Sequence, residues 1–453
     1  MNIRFLIAML AAKISKILLK LIGKNATYLP GLIALKLDKN FLGGLTKPET
    51  LICVTGTNGK TTTSNMITDL LRANGYSVTN NGFGSNVQAG VATALLADST
   101  LTGKPKNKVA VIEVDERSSI LVYKYITPDY LVATNITRDS MKRNAHAEFI
   151  TFIVNSALPS STKVFLNGDD LISSFFGKDN TDRTYYGLDC DIPENKEGSG
   201  VKDIVYCPIC GGKLHADYIR YNHIGRYRCT QCDFVSPERA YTITNIDSEN
   251  NEVTMCHNGE EHILPLVNDN IVNVYNLCAV SGFLHKFGLS FEQIAASLKK
   301  TAIVKSRFDT EKIGDYSITM QLSKGQNPIA TSRSINYIAG IEAESKAMLF
   351  MCDDIEEKAE SACWIYDCDY APLANDNIKQ VIFAGRRCKD HLLRALLAGV
   401  DESKIKICED PADGAELIDT GCKNVYILYQ LYLVNEAKKA KAFVEKKARE
   451  EIK

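Results

Sequence analysis

The chain has 453 residues, 45% hydrophobic and 24% charged, which excludes disordered and fibrous classes and is long enough for about three domains. Lysine plus arginine number 53 against 54 acidic residues, a net charge of −1, so no global field draws the chain to nucleic acid. Fourteen cysteines, mostly scattered singly through a long chain, read as reduced thiols of a cytoplasmic protein rather than a disulfide framework. Cys53, Cys278, Cys352 and Cys363 stand among apolar neighbours, where a free thiol acts as a small hydrophobe.

The first 22 residues are apolar but broken by Lys13, Lys16 and Lys20, with Lys24 just beyond, and the uncharged run Phe5 to Ala12 is too short to span a membrane. The lysine spacing predicts an amphipathic helix, packed on the protein or resting on a membrane surface. A signal peptide is the alternative, since Met1 to Arg4 precedes a short apolar core and Ala11-Ala12. Residues 1–45 are taken as an N-terminal helical segment.

Leu51 to Val54 reads as a buried strand, followed by a glycine-rich turn and a helical pattern through Met66, Ile67, Leu70 and Leu71 that ends at Asn74-Gly75. Further strands are predicted at Val109 to Val114, Tyr130 to Ile136 and Val164 to Leu166, with helical patterns between them. That alternation predicts a doubly wound α/β domain, here 46–305. It breaks near residue 185, where a polar stretch leads into a cysteine-bearing insertion at 203–236. Strands at Tyr241 to Ile246 and Glu252 to Met255, then a helix from Asn273 to Phe287, return to the main pattern. A second, smaller α/β Rossmann-like domain is predicted at 306–453, with strands at Ser317 to Leu322, Ala347 to Cys352, Val381 to Ala384 and Val425 to Leu428. The charged tail from Lys438 to Lys453 reads as a solvated helix.

The strongest chemical signal is Gly56-Thr57-Asn58-Gly59-Lys60-Thr61-Thr62 between a strand and a helix. Glycines let backbone amides close around phosphate oxygens, and a helix N-terminus adds favourable partial charge. Lys60 is placed to reach the β- and γ-phosphates of a nucleotide, and the Thr61 hydroxyl to ligate Mg²⁺. Val54 stands where the ordinary loop has its first glycine, so this is a shorter variant. Glu113 and Asp115 close a strand beside the loop, where a nucleotide metal needs a carboxylate; Glu113 is preferred, and Glu116 reads as a helix cap or surface acid. Cys207, Cys210, Cys229 and Cys232 form two Cys-x-x-Cys pairs that can close a tetrahedral, structural Zn²⁺ site with no position open for catalysis. Arg220, Arg226 and Arg228 offer a nucleic-acid finger as the alternative, diluted by Asp217 and Asp233.

Thr55 to Thr62 resembles the signature loop of the Mur ligase superfamily, which activates a carboxylate with ATP and couples it to an amine. Asn273-Val-Tyr-Asn276-Leu-Cys-Ala resembles that superfamily's Asn-x-x-Asn-x-x-Ala helix, and Ser306-Arg307-Phe308-Asp309 its arginine-bearing hinge. The four-cysteine insertion, with Leu29 to Lys36, Thr134 to Asp139, Lys324 to Pro328, Trp364 to Asp369 and Ala384 to Asp390, is similar to the MurT-type branch. Two departures from the amino-acid-adding enzymes matter. Ser140 replaces a histidine, and Ile153 to Ser156 lacks the lysine they use as a metal bridge. The segment after Cys352 is looser than the branch pattern.

The resemblance implies a Mur ligase-like fold and an ATP-dependent synthetase subunit of a glutamine amidotransferase. Its substrate would be the α-carboxylate of D-glutamate in the lipid II stem peptide, at the inner face of the membrane, activated as an acyl phosphate. Ammonia would come from a GatD-type glutaminase in a heterodimer, with no nucleic acid involved. ATP contacts carry over to Gly56 to Thr62, with Asn276 and Arg307; Mg²⁺ falls to Thr61 and Glu113. The resemblance also places an acid lent to the partner's Cys-His pair at Asp367, with Asp369 and Asp354 next. A self-sufficient Mur-type or folylpolyglutamate-type ligase is the competing expectation.

Overall fold

The computed structural model describes residues 2–82, 85–138, 146–190, 204–300, 308–323, 327–352 and 362–451. Arg307, Ser140, Asp354 and the expected boundary at 305/306 lie outside these residues. The chain forms two compact units, one of 1–137, 146–198 and 202–302, the other of 138–145, 199–201 and 303–453.

Eleven described strands belong to the first unit: β1 (Thr50–Thr55), β2 (Val78–Asn80), β3 (Val109–Glu113), β4 (Tyr130–Ala133), β5 (Lys163–Asn167), β6 (Arg183–Leu188), β7 (Leu214–Tyr221), β8 (Ile224–Cys229), β9 (Tyr241–Asp247), β10 (Glu252–His257) and β11 (Glu260–Pro265). Nine make one sheet, in the order β11-β10-β9-β6-β5-β4-β1-β3-β2. Pairing is parallel from β2 across to β9 and antiparallel at the β9-β10-β11 edge. The order steps outward on both sides of β1, so the carboxyl end of β1 opens at a switch in strand order, where α/β sheets place ligands.

Along β1, β3, β4 and β5 both faces of this sheet are buried, which is why these strands read as continuous apolar runs. Along β1 the side chains alternate. Ile52 and Val54 pack with Ile67, Leu70 and Leu71 of the helix Lys60–Ala73 and with the helix Ile271–Phe287. Leu51 and Cys53 face the opposite core, built from Phe5, Ala8, Met9, Ala34, Val91 and Ile150. That second core anchors the helices Ile3–Leu21, Leu29–Leu37, Gln88–Ala97 and Ala147–Ala157. No helix among the described residues is long and apolar enough to cross a membrane.

The second unit has a six-stranded sheet of β12 (Phe308–Ile313), β13 (Tyr316–Leu322), β14 (Lys346–Met351), β15 (Ile378–Ala384), β16 (Ile405–Cys408) and β17 (Asn424–Tyr429), ordered β12-β13-β17-β14-β15-β16. All pairs but β12-β13 are parallel. Met348, Phe350, Val381 and Phe383 face one core, and Ala347, Leu349, Ile382 and Ile427 face the other.

Three expectations need correction. The strand predicted to run to Ile136 stops at Ala133, because Thr134 and Asn135 turn their polar side chains onto the glycine-rich loop. The terminal helix spans Val434–Glu451 and is not merely solvated: Ala437, Ala440, Val444 and Ala448, at helical spacing, are buried against the second sheet. Cys363 is exposed rather than packed as a small hydrophobe, since it opens the short helix Cys363–Tyr366.

Candidate active site

The glycine-rich loop leaves the end of β1 and enters the helix Lys60–Ala73 directly. Gly56 has φ +129°, and a Cβ there would fall 2.1 Å from the Thr134 Oγ1. Gly59 has φ +86°, and its Cβ would lie 2.3 Å from the Asn276 Oδ1. Both positions therefore demand glycine on conformation and on space. The segment after β4 brackets the loop. The Thr57 amide donates to the Asn135 carbonyl at 2.6 Å, the Asn58 amide to the Asn135 Oδ1 at 3.2 Å, and the Asn58 side-chain amide to the Thr137 Oγ1 at 3.1 Å. The Thr57 hydroxyl donates to the Thr137 carbonyl at 3.2 Å.

Lys60 is buried at the helix start, its Nζ 3.0 Å from the Glu116 Oε1, and it also donates to the carbonyl of Gly56. Glu116 is only 1% exposed and accepts the Gly56 amide at 3.0 Å. It is therefore not a surface acid, as its place after Asp115 suggested, but the counter-ion of the loop lysine. Burial works to lower the Lys60 pKa, but the carboxylates of Glu116, Glu113 and Asp115 outweigh it and hold the ammonium above its ordinary value. Burial pushes the Glu116 carboxyl up, against the pull of Lys60.

The Thr61 hydroxyl donates to the Glu113 Oε2 at 2.8 Å, and Asn86 donates to the other carboxylate oxygen at 2.8 Å. A hydroxyl and a fixed carboxylate in contact at the loop are the hard oxygen donors that Mg²⁺ takes, so these residues fit that ion. Asp115 caps the 3₁₀ turn Glu116–Ser118, accepting the amides of Arg117 and Ser118. Thr62 follows in the first helical turn. Asn276, on the helix Ile271–Phe287, is buried against Gly59 and accepts from the Thr63 hydroxyl at 3.4 Å. The structure thus gathers Gly56 to Thr62, Glu113 and Asn276 at one place, while Arg307 falls outside the described residues.

The four cysteines also meet. Their sulfurs lie within 4.8 Å of one another, with 3.7 Å between Cys207 and Cys232 and 3.4 Å between Cys210 and Cys229. Tetrahedral bonds of about 2.3 Å to zinc require sulfurs about 3.8 Å apart, so the set fits the ion. Amides of Ile209, Gly212 and Gln231 donate to three of these sulfurs at 3.3–3.4 Å. Strands β7 and β8 join through Asn222, at φ 50°, and His223. In the second unit, Asp367 ends the helix Cys363–Tyr366 and stands 3.4 Å from Arg138. Asp369 caps the turn at Ala371.

Sequence reasoning missed Asn86 and Asn135 and misread Glu116. Only Asn135 carried a trace, inside the Thr134 to Asp139 segment; Asn86 is singled out by nothing short of the fold.

Two family models match, the Mur ligase middle domain over residues 54–196 and the MurT ligase C-terminal domain over 324–432. The subunit MurT of a glutamine-hydrolysing lipid II isoglutaminyl synthase from Staphylococcus aureus strain COL is 32% identical over 392 residues, 86% of this chain and 87% of that protein. The like-named subunit from Streptococcus pneumoniae strain ATCC BAA-255 / R6 is 29% identical over 436 residues, 94% of this chain and 95% of that one. Among solved structures, a pseudomurein peptide ligase type C from Methanothermus fervidus superposes with TM-score 0.65 at 19% identity, over 90% of this chain and 81% of that one, a likeness of fold. The chain belongs to the MurT family of the Mur ligases.

Proposed function

We propose that this chain is the ATP-dependent synthetase subunit of a lipid II isoglutaminyl synthase. The observation that carries the reading is the loop itself: Lys60 held by Glu116, with the Thr61–Glu113 pair beside it, in a chain 32% identical to such a subunit. The substrate is the α-carboxylate of the D-glutamate in the lipid II stem peptide. One carboxylate oxygen attacks the γ-phosphorus and ADP leaves, giving an acyl phosphate. Ammonia then attacks the acyl carbon, phosphate departs with the oxygen, and D-isoglutamine results.

Each residue has a physical task. Amides of Gly59 to Thr62 at the helix start surround phosphate oxygens, on a loop shaped by the bonds of the Gly56, Thr57 and Asn58 amides to Glu116 and Asn135, and Lys60 offsets charge gathering on the transferred group. Reaching a nucleotide requires the ammonium to swing from the Gly56 carbonyl while Glu116 keeps it protonated. Thr61 and Glu113 would hold Mg²⁺, which supplies charge neutralisation across the phosphates. Asn276 packs beside Gly59, and it and Arg307 are assigned to the nucleotide by family resemblance. Zinc on Cys207, Cys210, Cys229 and Cys232 is structural. We divide the chain at 1–45, 46–305 with the ribbon at 203–236, and 306–453.

No cysteine here sits as a glutaminase nucleophile, so ammonia is supplied by a second, GatD-type subunit, to which Asp367 lends a carboxylate. The work is placed in the cytoplasm, at the inner face of the membrane. The test is amidation of lipid II, followed by mass spectrometry, with glutamine plus the partner and with ammonium salt alone. Product from both sources supports the reading; addition of an amino acid instead, without any partner, establishes the self-sufficient ligase.

A further inference from the structure

The helix Ile3–Leu21 has two apolar faces, and only one is used. Phe5, Ala8, Met9 and Ala12 are buried in the core beneath it. On the opposite side Ile3, Ile7, Ile14, Ile17, Leu18 and Leu21 are each 53–76% exposed, with Leu10 between them. Steps of four and three residues keep 3, 7, 10, 14, 17 and 21 in one line along the helix. A soluble surface helix puts polar residues on that side. Single exposed apolar residues need no explanation, but a continuous stripe about five turns long does.

The charge around the stripe says what covers it. Residues 1–37 contain Arg4, Lys13, Lys16, Lys20, Lys24 and Lys36 and not one acidic residue. Lys13 is tied down, its Nζ donating to the carbonyls of Leu96 and Ser99. Arg4, Lys20, Lys24 and Lys36 are exposed. A second copy of this helix laid along the stripe would bring cation against cation with no carboxylate to offset it. An anionic lipid surface meets both features: acyl chains take the isoleucines and leucines, and headgroup phosphates take the flanking cations, whose stems can lie along the apolar boundary.

We infer that the helix Ile3–Leu21 docks in the plane of an anionic membrane through its outer Ile/Leu stripe. This deepens the proposal above, since a lipid-linked acceptor keeps its reacting carboxylate near the bilayer, and it rests on that reading for its purpose but not for its geometry. The helix lies on the bilayer as an amphipathic anchor and does not span it.

The test uses the full chain with its glutaminase and vesicles of phosphatidylglycerol mixed with phosphatidylcholine, against phosphatidylcholine alone. The wild-type protein is expected to sediment with the anionic vesicles, less so as salt rises. The triple variant Ile7→Ser, Ile14→Ser, Ile17→Ser, at exposed positions, is expected to keep its melting temperature and lose vesicle binding by about tenfold or more. Lys20→Glu with Lys24→Glu should weaken it about fivefold or more per site. Absence of wild-type binding, or equal binding by the triple variant, overturns the inference. So does a wild-type dimer that the triple variant breaks, which assigns the stripe to a second copy, or loss of the glutaminase, which assigns it to that partner. Amidation of detergent-dispersed substrate by the triple variant should match wild type, with loss confined to vesicle-embedded substrate. If the wild type amidates neither, the functional reading fails while the vesicle result stands by itself.

Discussion

The carboxylate of Asp170 lies 3.1 Å from the Nε2 of His223, with both residues fully buried. His223 sits in the turn of the β7-β8 hairpin, the arm that carries the cysteines. The same carboxylate accepts the amide of Ile136 at 2.7 Å, and the neighbours of Ile136, Asn135 and Thr137, hold the phosphate loop. It also takes the amides of Ile172 and Ser173. One buried acid therefore ties the cysteine-bearing arm to the loop. Asp170→Ala leaves several donors without an acceptor and should cost about 3 kcal/mol, with a raised KM for ATP; Asp170→Asn should restore part of both. Nucleotide titration alongside thermal melting checks this, and a melt shift with unchanged KM would leave Asp170 purely structural.

One zinc ion per chain is expected on the four cysteines. The arm has little apolar core of its own, and a filled Cys₄ site can contribute on the order of 10–16 kcal/mol to folding such a segment. Elemental analysis of fresh protein should find the metal, and Cys229→Ser with Cys232→Ser should remove it. Unchanged zinc in that double variant would contradict the assignment.

How much of this was written in the chain depends on the range of each interaction. The loop is local, since Gly56 to Thr62 are consecutive and their chemistry follows from spacing. The buried parallel strands announced themselves because both faces are apolar, as Ile52 and Cys53 on opposite sides of β1 illustrate. Glu116 was misread because its environment is made by Lys60, 56 positions away, and by closure of the sheet rather than by its neighbours. Asp170 was invisible for the same reason: its partners, Ile136 and His223, come from two distant turns. The terminal helix reads as solvated because alanines at 437, 440 and 448 carry weak hydropathy, although their small size lets the helix approach the sheet.

Lys60→Ala should abolish ATP turnover, and the structure adds a stability cost. Removing the ammonium leaves Glu116 buried without its counter-ion, a loss of about 3 kcal/mol. The double variant Lys60→Ala, Glu116→Gln should regain much of the melting temperature and none of the turnover. Retained amidation by either folded variant would sink the phosphate-loop assignment.

Acid should loosen the second unit through His391. This imidazole is buried against Trp364, Tyr370 and Phe383, and burial, helped by Arg387, lowers its pKa to about 3. An unfolded histidine takes up its proton near 6.5. Between those values the unfolded state binds the extra proton, so stability falls as pH drops from about 6.5 toward 3, by up to about 1.4 kcal/mol per pH unit. Denaturant melts across that window should show the slope in wild type and a shallower one in His391→Leu. Identical slopes would mean that other groups govern the acid response.

Asp367 carries the last prediction. A carboxylate that completes a Cys-His pair must orient the imidazole and stabilise its charge, so its own position has to be fixed beforehand. In this chain the Asp367 side chain is 21% exposed, and both of its oxygens lie 3.4 Å from the Arg138 Nη1, which can hold the carboxylate ready for a donor from outside. Asp369 is committed to capping its own turn and is the weaker candidate. If the carboxylate is lent, Asp367→Asn should cut glutamine-driven amidation by up to about 10⁴-fold, the loss this change causes in a catalytic triad, and spare amidation fed with ammonium. Arg138→Ala should reproduce the same split more weakly, because it loosens the carboxylate without removing it. Equal loss with both nitrogen sources would place Asp367 in the synthetase chemistry, and no loss with either would reduce it to the end of a short helix.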